Sequence, residues 1–390
     1  MKLTQLRALE VLDSNGKPTI TVEAYSKELR AKATVPGGTS TGTYEAKTVN
    51  TSEAVNIINK LSNQLKGKNI EDIESLITNQ PGNITTGISM ALWRLMALSQ
   101  GKELYSYFGG TTLPVPFMNV INGGAHAGNK LSFQEFLIAP LGRTFKESLK
   151  MGVEVYHALK QTIENKYGTS PINHGIEGGY APNMKHVEEA LNTIRNTLSR
   201  LGYSEEVRIG IDAAANQYYH NNNYIVNNKR MNKDKLMNYY EKLAQEYNLI
   251  SIEDPFNEND YEAYSELRER LKNKTLIVTD DLTVTNPERV TTAINNKSGN
   301  CLLLKINQVG SVNKALESAG MVIREGWKVM VSHRSGDSCD SFISDLAVGI
   351  NTGLIKAGAP CRGERVAKYN RLLDIEDKLG SKARYNTKII

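Results

Sequence analysis

The sequence predicts an α/β protein in which a (β/α)8 TIM-like barrel follows a smaller N-terminal α+β domain. Three observations predict this fold. Strand-like alternation dominates residues 3–35, helical periodicity occupies residues 52–66 and 86–104, and short apolar runs that end on a polar or charged residue recur from residue 207 onward. The chain has 390 residues, of which 40% are hydrophobic, so each of two such domains can bury a core.

The first elements are predicted to form an antiparallel meander. Apolar and polar residues alternate over residues 19–25, after a Ser-Asn-Gly-Lys-Pro turn, and again over residues 29–35. The two helical segments follow this meander. A stiff, proline-containing stretch at residues 111–116 then separates the two patterns, so we place the N-terminal α+β domain at residues 1–112 and the β/α-barrel domain at residues 113–390.

The barrel is predicted from repeated units, each with a short apolar run, a polar or charged residue and a helix-like segment. The residues that end these runs are Asp212, Glu253, Asp280, Lys305, His333 and, in a weaker sixth unit, Lys356. Their positions differ by 41, 27, 25, 28 and 23 residues, which matches a strand plus a crossover helix in a parallel β/α array. The Asn286-Pro287 pair predicts a helix start, whereas the Asn-rich segment 220–228 is predicted to be a surface loop.

Composition argues against several classes of protein. The 47 Lys and Arg residues against 42 Asp and Glu give a net charge of +5 that is spread along the sequence, so charge gives no support for binding to nucleic acid or membranes. The first residues lack the apolar core of a secretory signal, and no apolar run approaches the roughly 20 residues of a membrane span. We therefore expect a soluble, cytoplasmic protein. Cys301, Cys339 and Cys361 lack a C-x-x-C spacing, which favours buried or inert thiols over disulfides or a zinc site.

The charged strand ends predict the chemistry of the barrel. In such barrels the C-terminal ends of the strands meet at one mouth, where active sites lie. A single acid after an apolar run is more often a helix N-cap or a solvated loop charge, but Asp212, Glu253 and Asp280 end three successive strands. Three carboxylates so close together need a cation, most simply Mg²⁺. Lys305 follows in the next unit between apolar residues, where burial is expected to lower its pKa.

Three polar, glycine-rich loops accompany these strand ends. Residues 35–42 suit either a mobile lid or a plain loop, and residues 122–135 and 175–183 each hold an acid in a loop with little apolar content. Loops of this composition often line a functional site.

On these residues the chain resembles the enolase family over nearly its whole length. The motifs that carry the resemblance are V-P-G-G-T-S-T-G at 35–42, M-N-V-I-N-G-G-A-H-A-G-N at 118–129, Q-E-F at 134–136, E-G-G-Y-A-P-N at 177–183, S-I-E-D-P-F at 251–256, D-D-L-T-V-T-N-P at 280–287, L-L-L-K-I-N-Q at 302–308 and S-H-R-S-G at 332–336. The resemblance implies a glycolytic and gluconeogenic hydro-lyase that interconverts 2-phosphoglycerate and phosphoenolpyruvate. It also implies a homodimer or higher homo-oligomer.

The resemblance further implies two Mg²⁺ ions and a lysine base, a pattern general to this superfamily. Asp212, Glu253 and Asp280 would hold the first ion, which binds the substrate carboxylate. Ser40 would ligate a second ion that arrives with substrate. Lys305 would remove the C2 proton.

The other implied roles belong to the leaving group and the phosphate. Glu177 resembles the acid that assists departure of the C3 hydroxyl, with the catalytic Glu135 and the substrate-binding Gln134 beside it. Arg334 and Ser335 resemble the phosphate site, since arginine offers fixed donors suited to phosphate.

Three further residues complete the implied site. Lys356 resembles a second lysine that faces the substrate carboxylate, and His126 belongs to a closing loop. His333 would lie near the phosphate and the leaving group.

The chain departs from the family pattern at a few positions. Ile176 stands where the family has Asp beside the acid, Asn216-Gln217 replaces Ser-Glu, Asn15 replaces Arg, and a longer insertion is missing after Ala46. An altered-substrate relative, or a catalytically silent paralogue that acts as a binding protein, is the alternative. The presence of every expected catalytic side chain favours the enzyme.

Overall fold

The structure, a computed structural model, describes residues 1–38, 42–168 and 173–389. The chain opens with an antiparallel meander of β1 (Gln5–Leu12), β2 (Pro18–Ser26) and β3 (Leu29–Thr34), with β2 in the middle. Four helices follow: α1 (Thr51–Leu65), α2 (Ile73–Leu76), α3 (Gly82–Ser99) and α4 (Leu104–Phe108). This confirms the predicted combination of antiparallel strands and helices.

Helices α1 and α3 pack against the meander and form its core. The alternating residues Ile20, Val22 and Ala24 of β2 are buried, as the period of two in a half-buried strand requires. At Gly87 of α3 a β-carbon would lie 2.5 Å from Val22 Cγ2. The glycine therefore allows the helix to lie close against the sheet.

The second part of the chain alternates strands and helices. Its strands are β4 (Thr112–Leu113), β5 (Val115–Asn122), β6 (Glu135–Pro140), β7 (Val207–Asp212), β8 (Tyr219–His220), β9 (Asn223–Val226), β10 (Lys229–Met231), β11 (Ser251–Glu253), β12 (Leu276–Thr279), β13 (Cys301–Leu304), β14 (Lys328–Ser332), β15 (Gly353–Lys356) and β16 (Arg384–Tyr385). Its helices are α5 (Phe145–Tyr167), α6 (Val187–Leu201), α7 (Lys233–Tyr247), α8 (Tyr261–Arg270), α9 (Pro287–Asn295), α10 (Ile306–Val309), α11 (Val312–Arg324), α12 (Phe342–Gly349) and α13 (Gly363–Leu379). The predicted start of α9 is confirmed, because the Asn286 side chain accepts hydrogen bonds from the first N–H groups of the helix.

Within the described residues, eight of these strands close a barrel in the order β11-β12-β13-β14-β15-β5-β6-β7. The predicted α/β barrel is confirmed, but β6 runs antiparallel to both of its neighbours, whereas the sequence predicted a parallel array. The connection between Asn122 and Glu135 explains the difference. It contains only a three-residue 3₁₀ helix, and a parallel crossover normally needs a full helix. The chain therefore turns back directly.

The Asn-rich segment is not a plain loop, as predicted, but a small antiparallel sheet of β8, β9 and β10. Its two turns fall on Asn221-Asn222 and Asn227-Asn228, all of which have positive φ between 50° and 60°. Asparagine adopts this left-handed conformation more readily than most residues, and tight hairpin turns require it. The asparagines are thus turn residues.

The barrel interior is apolar away from its mouth. Its buried side chains are Val115, Phe117, Leu137, Ala139, Ile250, Leu276, Val278, Cys301, Leu303, Met330, Leu354 and Ile389.

All three cysteines are free thiols. Cys301 is buried in the barrel core, Cys361 is half-buried and Cys339 is exposed, so the predicted burial is confirmed fully only for Cys301. Among the described residues, no helix is both long and apolar enough to span a bilayer.

Candidate active site

A polar cavity opens where the barrel strands meet their following loops. The predicted site residues that line it are His126, Gln134, Glu135, Glu177, Asp212, Asp280, Lys305, His333, Arg334, Ser335 and Lys356. Ser40 lies outside the described residues. The described lining includes seven carboxylates but only three cationic side chains. The cavity therefore has an excess of negative charge.

Strand register places three carboxylates side by side at this mouth. Glu135 of β6 pairs with Asp212 of β7, and Asp212 pairs with Glu253 of β11. Glu135 reaches the mouth because it begins an antiparallel strand, whereas the other two end parallel strands. The Lys356 ammonium lies among them, with Nζ 2.9 Å from Glu135 Oε2, 3.2 Å from Asp212 Oδ2 and 2.8 Å from Glu253 Oε2.

The pKa values of this cluster reflect its burial. Burial, together with neighbouring carboxylates, raises the pKa of Glu135 and Glu253 well above the usual range. Burial opposes the charge of Lys356, but the surrounding carboxylates outweigh it and raise the pKa of this amine. The surrounding acids thus favour the charged ammonium of Lys356, which contacts all three of them.

Asp280 and Lys305 form a separate ion pair. Lys305 Nζ lies 2.5 Å from Asp280 Oδ2, and Gln308 Nε2 donates to Asp280 Oδ1 at 2.8 Å. The prediction that burial lowers the pKa of Lys305 is wrong for the protein without bound metal or substrate. Burial opposes the charge, but Asp280 and Glu253 together outweigh burial and raise the pKa of Lys305. The contact with Asp280 therefore favours the protonated form of the lysine.

Two acids that the sequence analysis did not select belong to the same region. Asp254 follows Glu253 directly, and its carboxylate accepts hydrogen bonds from the backbone N–H groups of Asp280 and Asp281. Burial and Asp280 raise the pKa of Asp281 to about 7. The adjacent Glu-Asp and Asp-Asp pairs at two strand ends were the signal available in the sequence.

The described residues contain two groups of acids or histidines whose ligand atoms lie within 4.8 Å of one another. These groups are His126, Glu135 and Glu177, and Asp254, Asp280 and Asp281. Of the expected trio, only Asp280 belongs to one of these groups. Asp212 and Glu253 contact Lys356 instead, and Asp280 also contacts Lys305. Even so, the donor set fits Mg²⁺. Its ligand atoms are carboxylate oxygens, which Mg²⁺ prefers, and a divalent cation would neutralise the negative charge that these buried acids bring together.

Glu177 lies across the cavity among two histidines and an asparagine. Asn119 Nδ2 donates to Glu177 Oε2 at 2.9 Å, while His333 Nε2 lies 3.6 Å from Oε2 and His126 Nδ1 lies 3.6 Å from Oε1. Burial opposes the charge of Glu177, but the positive groups around it, which include Arg365 and Lys356, hold its pKa well below the usual range. Burial lowers the pKa of both histidines, which favours neutral imidazoles.

Arg334 already has a carboxylate partner. Its guanidinium binds Glu45 through two contacts of 3.0 Å, and this pairing raises the pKa of the arginine although burial opposes it. The carboxylate of Glu45 occupies donors that the sequence assigns to phosphate. The sequence analysis missed Glu45, because the residue lies in the N-terminal domain, far from the barrel motifs.

Asn216 and Gln217 connect loops around the cavity. Asn216 Nδ2 donates to Asp281 Oδ2 at 3.2 Å. Gln217 Nε2 donates to Gln134 Oε1, and Gln217 Oε1 accepts from the backbone N–H of Ala125 at 3.0 Å. Gln217 therefore ties the predicted substrate residue Gln134 to the loop that carries His126.

The N-terminal domain contacts the barrel loop that carries Arg334 and Ser335. Gly37 and Gly336 exchange two backbone hydrogen bonds of 2.7 Å, and Asn15 Nδ2 donates to the Ser335 carbonyl at 3.4 Å. The first domain thus helps to form one wall of the site.

Comparison with known protein families identifies both parts of the chain. Residues 3–108 match the family model described as "Enolase, N-terminal domain", and residues 110–390 match the model described as "Enolase, C-terminal TIM barrel domain". Together the two matches cover nearly the whole chain.

Proposed function

The chain belongs to the enolase family, and from that premise we propose that it catalyses the Mg²⁺-dependent, reversible dehydration of 2-phosphoglycerate to phosphoenolpyruvate. The observation that carries the proposal is one cavity that holds Lys305 together with the Glu135–Glu177 pair, Arg334 and Lys356. The reaction needs a base, an acid, and cationic groups for a carboxylate and a phosphate. This cavity offers all of them.

The first step would break the C2–H bond of the substrate. The proton would pass to Lys305 Nζ, which must first lose the proton that its pairing with Asp280 now stabilises. When bound at the carboxylates of Asp212, Glu253 and Asp280, Mg²⁺ would supply positive charge against the second negative charge that develops at the substrate carboxylate. Lys356 would bind that carboxylate and oppose the same charge.

The second step would break the C3–O bond, form the C2–C3 double bond and release water. Glu177 would give a proton to the departing hydroxyl, with Glu135 as its partner. Burial raises the pKa of Glu135 while the neighbours of Glu177 lower its pKa, so a proton shared by the pair would favour Glu135 in the free protein. Passage of that proton to Glu177 would make it the acid.

The phosphate would bind at Arg334 and Ser335, where it would replace Glu45. The assignments of His126 and Gln134 to substrate binding, and of Ser40 to a second Mg²⁺, rest on the resemblance. The homodimer rests on the resemblance as well, whereas the cytoplasmic location and the domain boundary after residue 112 are proposed from the sequence pattern alone.

Removal of the metal is expected to abolish turnover and lower stability. We expect 2-phosphoglycerate to be converted with Mg²⁺ and not with a chelator, as followed by the ultraviolet absorbance of phosphoenolpyruvate. Mg²⁺ at a hundred times its Kd should also stabilise the fold by about 2.7 kcal/mol, seen as a higher Tm. Glu253→Gln should lose most of this Tm increase, whereas the exposed-site control Glu325→Gln should keep it.

The outcomes of this experiment distinguish the proposed reaction from an altered substrate and from other metal ligands. A Tm increase without turnover would leave the metal site standing and support an altered substrate. Turnover that survives the chelator, or an equal Tm increase in Glu253→Gln, would contradict the proposed metal ligands.

Ile176 provides a separate test through the pH profile. Its side chain is partly exposed beside Glu177, and we expect Ile176→Asp to place a like charge there and raise the pKa of Glu177. The alkaline limb of the kcat profile should then move to higher pH by less than about one unit, because solvent screens the added charge. Ile176→Asn is the uncharged control. An unchanged profile in Ile176→Asp would show that this position does not tune the acid.

A further inference from the structure

Arg365 is a fully buried arginine that none of the roles above uses. It lies in the first turn of α13 and has an exposed fraction of 0%. A buried guanidinium is costly unless its donors are satisfied. Its contacts therefore indicate what it does.

All four terminal N–H groups of Arg365 can be assigned to acceptors. Nη1 lies 2.6 Å from His333 Nδ1 and 2.6 Å from the Arg334 carbonyl oxygen. Nη2 lies 2.8 Å from the Ser335 carbonyl oxygen and 3.2 Å from the Ile176 carbonyl oxygen. One rigid group thus joins the loop after β14 to the loop that carries Glu177.

The contact with His333 decides the tautomer of this histidine. Arginine keeps its protons in proteins and can only donate, so His333 Nδ1 must accept. A neutral imidazole that accepts at Nδ1 carries its proton on Nε2. That nitrogen is buried, has no hydrogen-bond partner among the described residues and lies 3.6 Å from Glu177 Oε2.

The surroundings of Arg365 support this placement. Asp337 Oδ2 lies 3.8 Å from Nη1, and Glu364 Oε1 lies 3.4 Å from Nε, so carboxylates balance the buried charge. At Gly358 a β-carbon would lie 2.8 Å from Arg365 Cδ and 3.0 Å from the Glu177 carbonyl oxygen. The glycine leaves the space that the arginine needs beside the Glu177 loop.

We propose that Arg365 is a positioning residue: it holds His333 as the Nε2–H tautomer that faces Glu177, and it fixes the spacing of the two loops. The kinetic consequence rests on the proposed function, whereas the tautomer is a property of the free protein. The Nε2–H group is then a fixed donor at the point where the proposed acid and leaving group meet.

The tautomer can be measured by ¹⁵N NMR of histidine-labelled protein, with the His333 signals assigned by their loss in His333→Gln. We expect wild-type His333 to show an unprotonated Nδ1 and a protonated Nε2 at neutral pH. Arg365→Met should shift the ring towards the Nδ1–H form. A wild-type His333 that is protonated on Nδ1 would overturn the proposal, and this measurement needs no folded Arg365 variant.

Kinetics supply the second readout. Arg365→Met should lower kcat about a hundred-fold with little change in KM, because a misplaced group costs transition-state stabilisation, and Arg365→Lys should recover only part of the loss. The control is Arg371→Met, which removes an arginine of the same helix that pairs with Asp345 and Glu103. Equal kcat in the two Met variants would overturn the positioning role. If the wild-type protein shows no turnover, the proposed function fails. The NMR measurement of the His333 tautomer still tests the proposed role of Arg365 in that case.

Discussion

Replacing Lys305 with alanine is expected to lower kcat for 2-phosphoglycerate by roughly a hundred- to ten-thousand-fold, the usual contribution of a general base. Lys305 Nζ lines the cavity from the end of β13 and contacts Asp280 Oδ2 at 2.5 Å. Alanine would leave no amine at that strand end to receive the C2 proton. Absorbance of phosphoenolpyruvate measures the loss.

Substrate deuterated at C2 makes the test specific to proton removal. Wild-type protein should exchange the C2 deuteron with solvent, as measured by NMR of recovered substrate, and Lys305→Ala should not. The exposed lysine variant Lys274→Ala is the control and should behave as wild type. Exchange at the wild-type rate in Lys305→Ala would show that another group is the base.

The order of elements and the strand-end residues could be predicted because each is a local property of the sequence. A buried strand is a short apolar run, and the polar or charged residue that follows the run marks the point where the strand reaches the mouth of the barrel. Asp212, Glu253, Asp280 and Lys305 lie at or directly beyond the ends of their strands. The hairpin signal of two Asn-Asn pairs was also local, although the sequence analysis assigned the segment to a loop.

The pairing of charges could not be predicted in the same way, because it depends on register and on contacts between distant segments. Glu135 meets Asp212 only because β6 runs antiparallel, and the sequence pattern favoured a parallel array. Glu45 meets Arg334 only because the N-terminal domain packs on the barrel. The same holds for Lys305, whose pKa is raised because Asp280 and Glu253, which lie at the ends of other strands, together outweigh burial.

Lys356 is where these long-range contacts have their largest expected effect on stability. Without bound metal, Lys356→Met should destabilise the fold by about 3–5 kcal/mol at neutral pH, because it leaves buried carboxylates without their shared cation. The methionine keeps a side chain of similar length, so the change is mainly one of charge. The control is Lys328→Met, at the start of β14 and hence at the opposite end of the barrel.

The destabilisation should depend on pH in a defined direction. Burial and the neighbouring acids raise the pKa of Glu135 and Glu253 above the ordinary value of 4.5 even with Lys356 present, and loss of the ammonium should raise both further. The folded variant then binds protons that the unfolded chain has released, so its stability falls as the pH rises above about 4.5 towards the folded-state pKa. Urea unfolding with chelator at pH 5.5 and pH 8 should therefore show a larger deficit at pH 8.

Mg²⁺ distinguishes this electrostatic account from lost packing. If the three acids are destabilised by unbalanced charge, Mg²⁺ should recover part of the stability of Lys356→Met at pH 8, and the gain should be larger than in wild type, where the ammonium already balances part of that charge. A deficit that is the same at both pH values and is unaffected by Mg²⁺ would mean that Lys356 acts through packing. Turnover should be lost even where stability recovers, because the cation at the substrate carboxylate is missing.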